Sequence, residues 1–152
     1  MRALLFLPLA LLLFPGCEAI TGKELARLTI DRLSTPDRFV MREATLELKK
    51  DDVIGLWSHL DLAYDGAAAL RMRVRVVKDD NDLQLLELDP MEKNVTVGET
   101  KTELNGRTEW SFTGKNAEYT APEDGAYTFK AIVTAEENPS LVVRKAELVL
   151  KQ

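Results

Sequence analysis

The chain has 152 residues, 45% of them hydrophobic and 30% charged, with 20 Lys and Arg against 25 Asp and Glu for a net charge of −5. That length suits one domain. The acidic balance argues against a nucleic-acid partner and gives the chain as a whole no pull toward anionic headgroups. A single Cys and a single His exclude an intramolecular disulfide and a zinc or copper site of the usual composition.

The first element is an apolar run from Ala3 to Phe14, preceded by Arg2 and followed by Pro15-Gly16-Cys17. This is the order of an export signal. The run covers 12 residues. As a helix it would reach only ~18 Å, against a hydrocarbon core of about 30 Å. Pro8 also interrupts it. A removable signal over residues 1–16 is therefore expected, not a membrane-spanning helix.

Leu13-Phe14-Pro15-Gly16-Cys17 resembles the lipobox that ends the signal of bacterial lipoproteins. Gly16 and Cys17 carry the match, while Phe14 and Pro15 depart from the usual residues at their places. The resemblance implies that Cys17 becomes the mature N-terminus, acylated with palmitate-type chains, so that a membrane is the first partner. Several buried acyl chains, at about 0.8 kcal/mol per CH₂, would make such an anchor effectively permanent. In that family an Asp after the Cys commonly marks inner-membrane retention; Glu18 favours the outer membrane. A plain secretory signal with a chance Cys is the competing reading. Residues 17–22 then form a tether of ~20 Å at full extension, and residues 23–152 form the domain.

Beyond the tether, period-two alternation dominates. Thr21-Gly22-Lys23-Glu24 fits a helix-capping box. Leu28, Ile30 and Arg32 read instead as a strand ending at Ser34-Thr35-Pro36, and the strand is preferred. Ala44, Leu46 and Leu48 alternate with polar residues and stop at Lys49-Lys50-Asp51-Asp52. Ile54, Leu56, Leu60 and Leu62 share one face of a strand from Val53 to Tyr64, ended by Asp65-Gly66. Leu70, Met72, Val74 and Val76 alternate with Arg71, Arg73 and Arg75, apolar in and cationic out. Leu83 with Leu85, and Val95 with Val97, mark two shorter strands on either side of Asp89-Pro90.

Thr100 to Leu104 is closed by Asn105-Gly106, the clearest hairpin turn in the chain. Trp110 and Phe112 share a face of the next strand, which Gly114 is expected to stop. Tyr127, Phe129 and Ala131 alternate after Pro122-Glu123-Asp124-Gly125. The last strand, Leu141 to Leu150, slips in phase near Arg144-Lys145, which predicts a bulge. Eight or nine strands with frequent turns predict an all-β, two-sheet antiparallel β-sandwich of jelly-roll or Ig-like type.

Chemistry is sparse. Ser58, His59 and Asp61 look like a catalytic triad in a row, but adjacent strand residues face opposite ways. A surface His beside a carboxylate is the expected arrangement. Asp79-Asp80-Asn81-Asp82 misses the calcium-loop register in both frames and reads as a solvated turn. No catalytic residues, cofactor or metal are expected. Arg71, Arg73 and Arg75 form a cationic stripe suited to an acidic partner, a sulfated glycan or a phosphate. Partners across the sheet are expected among Glu43, Glu47 and Glu87. Trp57 and Trp110 are candidates for a sugar-stacking platform, although the Trp110–Phe112 alternation points to a core anchor.

Three later stretches carry a further resemblance: Trp110 to Gly114, Tyr119 to Phe129, and Lys145 to Leu148. With Leu48-Lys49-Lys50-Asp51 leading into Leu56-Trp57, they are similar to the Golgi-dynamics (GOLD) type of β-sandwich over residues 40–150. The resemblance implies a non-enzymatic interaction module and transfers no functional residue. The expectation is a lipid-anchored envelope β-sandwich that binds a protein partner or serves a structural role. The alternative is a glycan-binding accessory lipoprotein that uses Trp57.

Overall fold

The computed structural model describes residues 21–152; the expected signal over residues 1–16, Cys17 and most of the expected tether lie outside the described residues. Nine strands run through the described residues. They are β1 (Glu24–Thr29), β2 (Arg42–Leu48), β3 (Val53–Asp65), β4 (Leu70–Lys78), β5 (Asn81–Leu88), β6 (Val95–Leu104), β7 (Arg107–Thr120), β8 (Gly125–Ala135) and β9 (Val142–Lys151). They form two antiparallel sheets, one of order β1-β9-β3-β7-β6 and one of order β2-β8-β4-β5. Only the β4–β5 and β6–β7 hairpins stay within a sheet, and every other connection crosses between the two. This is the wrapping of a jelly roll with β6 added at one edge, so the expected all-β sandwich is the fold.

The alternation seen in the sequence sets the layers. Leu28, Ile54, Leu56, Leu60, Leu62, Phe112 and Leu148 point inward from the larger sheet. Met72, Val74, Val76, Tyr127, Phe129 and Ala131 meet them from the smaller. Each fully buried aliphatic side chain adds roughly 1.5–3 kcal/mol of transfer free energy. Tyr127 reconciles burial with its hydroxyl by donating a hydrogen bond to the Glu123 carbonyl, 2.7 Å away.

The turns fall where their residues allow. Asn105 and Gly106, both at positive φ, close the β6–β7 hairpin in the geometry that matches strand twist. Asp79 and Asp80 do the same between β4 and β5. The phase slip near Arg144 is a bulge: Asp61 pairs with Lys145 but Leu62 with Val143. The extra residue lets Arg144 reach Asp61 (3.3 Å) and Glu109 (2.9 Å).

Three boundaries differ from expectation. The N-terminal segment is the preferred strand, but it ends at Thr29 and not at Ser34. Val95–Val97 and Thr100–Leu104 are one strand, because Gly98 and Glu99 form a bulge that keeps both halves paired to β7. Gly114 does not stop its strand. It continues to Thr120, and the missing side chain at Gly114 makes room for Lys93, whose Cβ and Cδ lie within 2.7 Å of where an added Cβ would sit.

Candidate functional site

The site is built on the outer face of the smaller sheet. Inward-facing Met72, Val74 and Val76 force Arg71, Arg73 and Arg75 outward. Pairing then lines up two rows across the strands. In one, Arg75 stands between Lys130 of β8 and Leu85 of β5; in the other, Arg73 stands between Ile132 and Glu87. One residue beyond the β2 register, Met41 falls beside Ile132.

The connection between β1 and β2 supplies the far wall. Thr35 and Arg38 exchange backbone hydrogen bonds of 2.9 and 3.1 Å around Pro36-Asp37, a tight turn. Buried Ser34 then clamps Val40: its hydroxyl donates to the Val40 carbonyl and accepts from the Val40 N–H, both at 2.9 Å. Ser34 is itself held by its N–H to the Val133 carbonyl at 2.7 Å. With Val40 turned inward, its neighbours must turn out. Phe39 is 70% exposed and Met41 38%.

Together these residues enclose a groove of about 280 Å³. Phe39, Met41, Leu85 and Ile132 give it an apolar floor and wall, and Arg73, Arg75 and Lys130 give it three cations. No carboxylate lines it. Acidic residues stand at the rim: Glu87 is 2.9 Å from Arg73, Asp82 is 3.6 Å from Arg75 and Glu43 is 3.6 Å from Lys130. Arg71 reaches Glu87 only at 3.9 Å and lies outside the groove. Of the anticipated cross-strand partners, Glu87 takes Arg71 and Arg73 and Glu43 takes Lys130, whereas Arg75 pairs with Asp82 instead. Exposed pairs of this kind contribute about 0–1 kcal/mol, so an incoming anion can displace them.

The other predicted residues lie elsewhere. Trp57 is on the outer face of the larger sheet, yet only 5% exposed, with the Lys151 Nζ 4.6 Å from its ring centroid. Its ring offers no open stacking face. Trp110 is half-buried against Phe112, with ring centroids 4.7 Å apart, and donates its indole N–H to Glu99 at 2.7 Å. Lys93 lies over both rings, 4.5 and 4.2 Å from their centroids. These two tryptophans therefore form no common platform.

Ser58 and His59 face opposite ways, as the alternation requires. The Ser58 hydroxyl is buried and donates to the Pro90 carbonyl at 2.7 Å. The His59 Nδ1 lies 3.1 Å from a Glu147 carboxylate oxygen, and Arg27 donates to that same carboxylate. The carboxylate beside His59 is thus Glu147 and not Asp61, because the residue directly across a strand pair is closer than the next one along the same face. Burial pushes the Glu147 carboxyl up, but the hydrogen bond and charge of Arg27, with His59 and Lys145, hold it below its ordinary 4.5. In the acidic turn, Asp79 is engaged by Lys78 at 3.0 Å and Asp82 by Arg75.

Sequence reasoning found the arginines but missed Phe39, Met41, Leu85, Lys130 and Ile132. The signal was present. Ile132 breaks the inward phase of Tyr127, Phe129 and Ala131, and Phe39 and Met41 break that of Ala44, Leu46 and Leu48. Apolar residues in the outward phase mark a surface kept for something other than water. No family model, curated protein or solved structure matches this chain.

Proposed function

We propose that this protein is a lipid-anchored module of the bacterial cell envelope that binds another protein without catalysis, through the outer face of its four-stranded sheet. The observation that carries the reading is the groove beneath Phe39: four apolar side chains ringed by Arg73, Arg75 and Lys130, on a chain whose net charge is −5. An exposed apolar patch with a charged rim is the signature of an interaction surface. A non-enzymatic interaction role is also what the GOLD-type resemblance implies.

The anchor is Cys17, with Glu18 favouring the outer membrane. The glycan alternative depends on an open Trp57 face, and Lys151 covers that ring. The protein-binding reading is therefore preferred.

Two experiments test the parts separately. Metabolic labelling with palmitate should mark the wild-type chain and vanish in Cys17→Ser; persistent labelling would overturn the anchor. Pull-down from solubilised membranes should recover one stoichiometric partner. Reversing Arg73 and Arg75 to Glu should cut that recovery about tenfold, the loss of roughly 1.4 kcal/mol. Unchanged recovery would overturn the docking face.

A further inference from the structure

We propose that the occupant of this groove is an acidic protein segment that carries one large apolar side chain between carboxylates. This rests on reading the groove as a protein-docking face. Three features of the site select that chemistry.

The first is charge. Every ionisable side chain lining the groove is a cation, and the carboxylates of Glu43, Asp82 and Glu87 are confined to its rim. A second rank stands behind Phe39, where Arg32, Arg38 and Arg42 outnumber the one carboxylate, Asp31, in the lining of the adjoining cleft. Among the described residues these three have no carboxylate partner at ion-pair distance, and Arg42 donates only to the Met41 carbonyl at 3.0 Å. On an otherwise acidic molecule, six arginines and lysines gathered around one aromatic side chain form a local field of the opposite sign, which steers acidic partners.

The second is shape. The site is concave, with Phe39 and Met41 as one wall and Leu85 as the other. A concave apolar slot takes a single anchor side chain, whereas a bilayer surface calls for a flat or convex face. The slot runs across the strands from β2 to β5. Three strand spacings of about 4.8 Å make this ~14 Å, the length of about four extended residues.

The third is position. The tether enters at Lys23, whose N–H and carbonyl pair with Gln152, while the Ile30-to-Met41 connection begins at the far end of β1, ~20 Å away. The cationic face is displaced from the anchored end, toward proteins and away from the headgroups beneath the tether.

The test is to pan a displayed random heptapeptide library on the full-length protein in detergent, then measure selected synthetic peptides by fluorescence anisotropy. Enriched peptides should carry two or more Asp or Glu around one Leu, Ile, Phe or Trp. Their affinity should fall at least about tenfold on the Arg75→Glu/Lys130→Glu variant and weaken with added salt, but hold on Lys101→Glu of the other sheet. Thermal melts check that each variant is folded. Enrichment of neutral or basic peptides whose binding is lost in Phe39→Ala would overturn the acidic occupant and leave the docking face standing. Failure to enrich any peptide would overturn both. Both would also fall if vesicles of phosphatidylglycerol, or heparin, were retained by the wild type and released by the charge reversal.

Discussion

A few side chains decide what this surface can do, and Ser34 is the least obvious of them. It touches no ligand, but its two hydrogen bonds to Val40 hold Phe39 and Met41 outward. Ser34→Ala leaves the buried Val40 N–H and carbonyl without that partner, a cost of about 1–3 kcal/mol. A denaturant titration should show that loss, and partner recovery should fall with it although no contact residue has changed. Glu147 makes a second prediction. Its carboxyl is held below 4.5 when folded, and Glu24 is lowered likewise by its hydrogen bond to Arg27. A depressed carboxyl contributes stability that is present above its unfolded value and lost as pH falls through the folded one. Urea midpoints should therefore drop as pH falls below about 4.5, and Glu147→Gln should flatten that fall.

Elements were legible where one face is buried and obscure where neither is. The period-two runs of β3, β4 and β8 carry the core, and each lies where its alternation put it. β6 has no buried residue, so its signal was limited to the Val95–Val97 pair and the Asn105-Gly106 turn, and its bulge at Gly98 looked like a strand end. β7 looked shorter than it is because Gly114 reads as a stop. Its true role is set by Lys93, which arrives from the β5–β6 connection and which no local pattern places there. Gly114→Ala should push the Lys93 stem off the Trp110 and Phe112 rings and cost roughly 1–3 kcal/mol, read as a lower denaturant midpoint at unchanged slope. The groove was half legible for the same reason. The arginine stripe belongs to one strand, whereas the apolar wall comes from the β1–β2 connection and from strands paired at long range.

At the scale of the molecule, two sheets cover each other and leave two outer faces of different character. The five-stranded face carries paired charges, including Arg27–Glu147 and Arg144–Asp61, and Lys151 lies over its Trp57. The four-stranded face holds an apolar groove among cations. A cationic face on an acidic chain makes association salt-dependent, so partner binding should slow as ionic strength rises while dissociation changes less. Stopped-flow association at several salt concentrations would read this change in rate. If the protein works through this one face, a partner must lie against the groove in the cell. Site-specific photo-crosslinking in living cells is the decisive test, with the crosslinker at Leu85 in the groove and, as control, at exposed Thr102 on β6. One discrete protein adduct is expected from Leu85, none from Thr102, and loss of the adduct when Arg73 and Arg75 are reversed to Glu. Adducts of equal yield from both positions, or from Thr102 alone, would show that the groove is not the docking face.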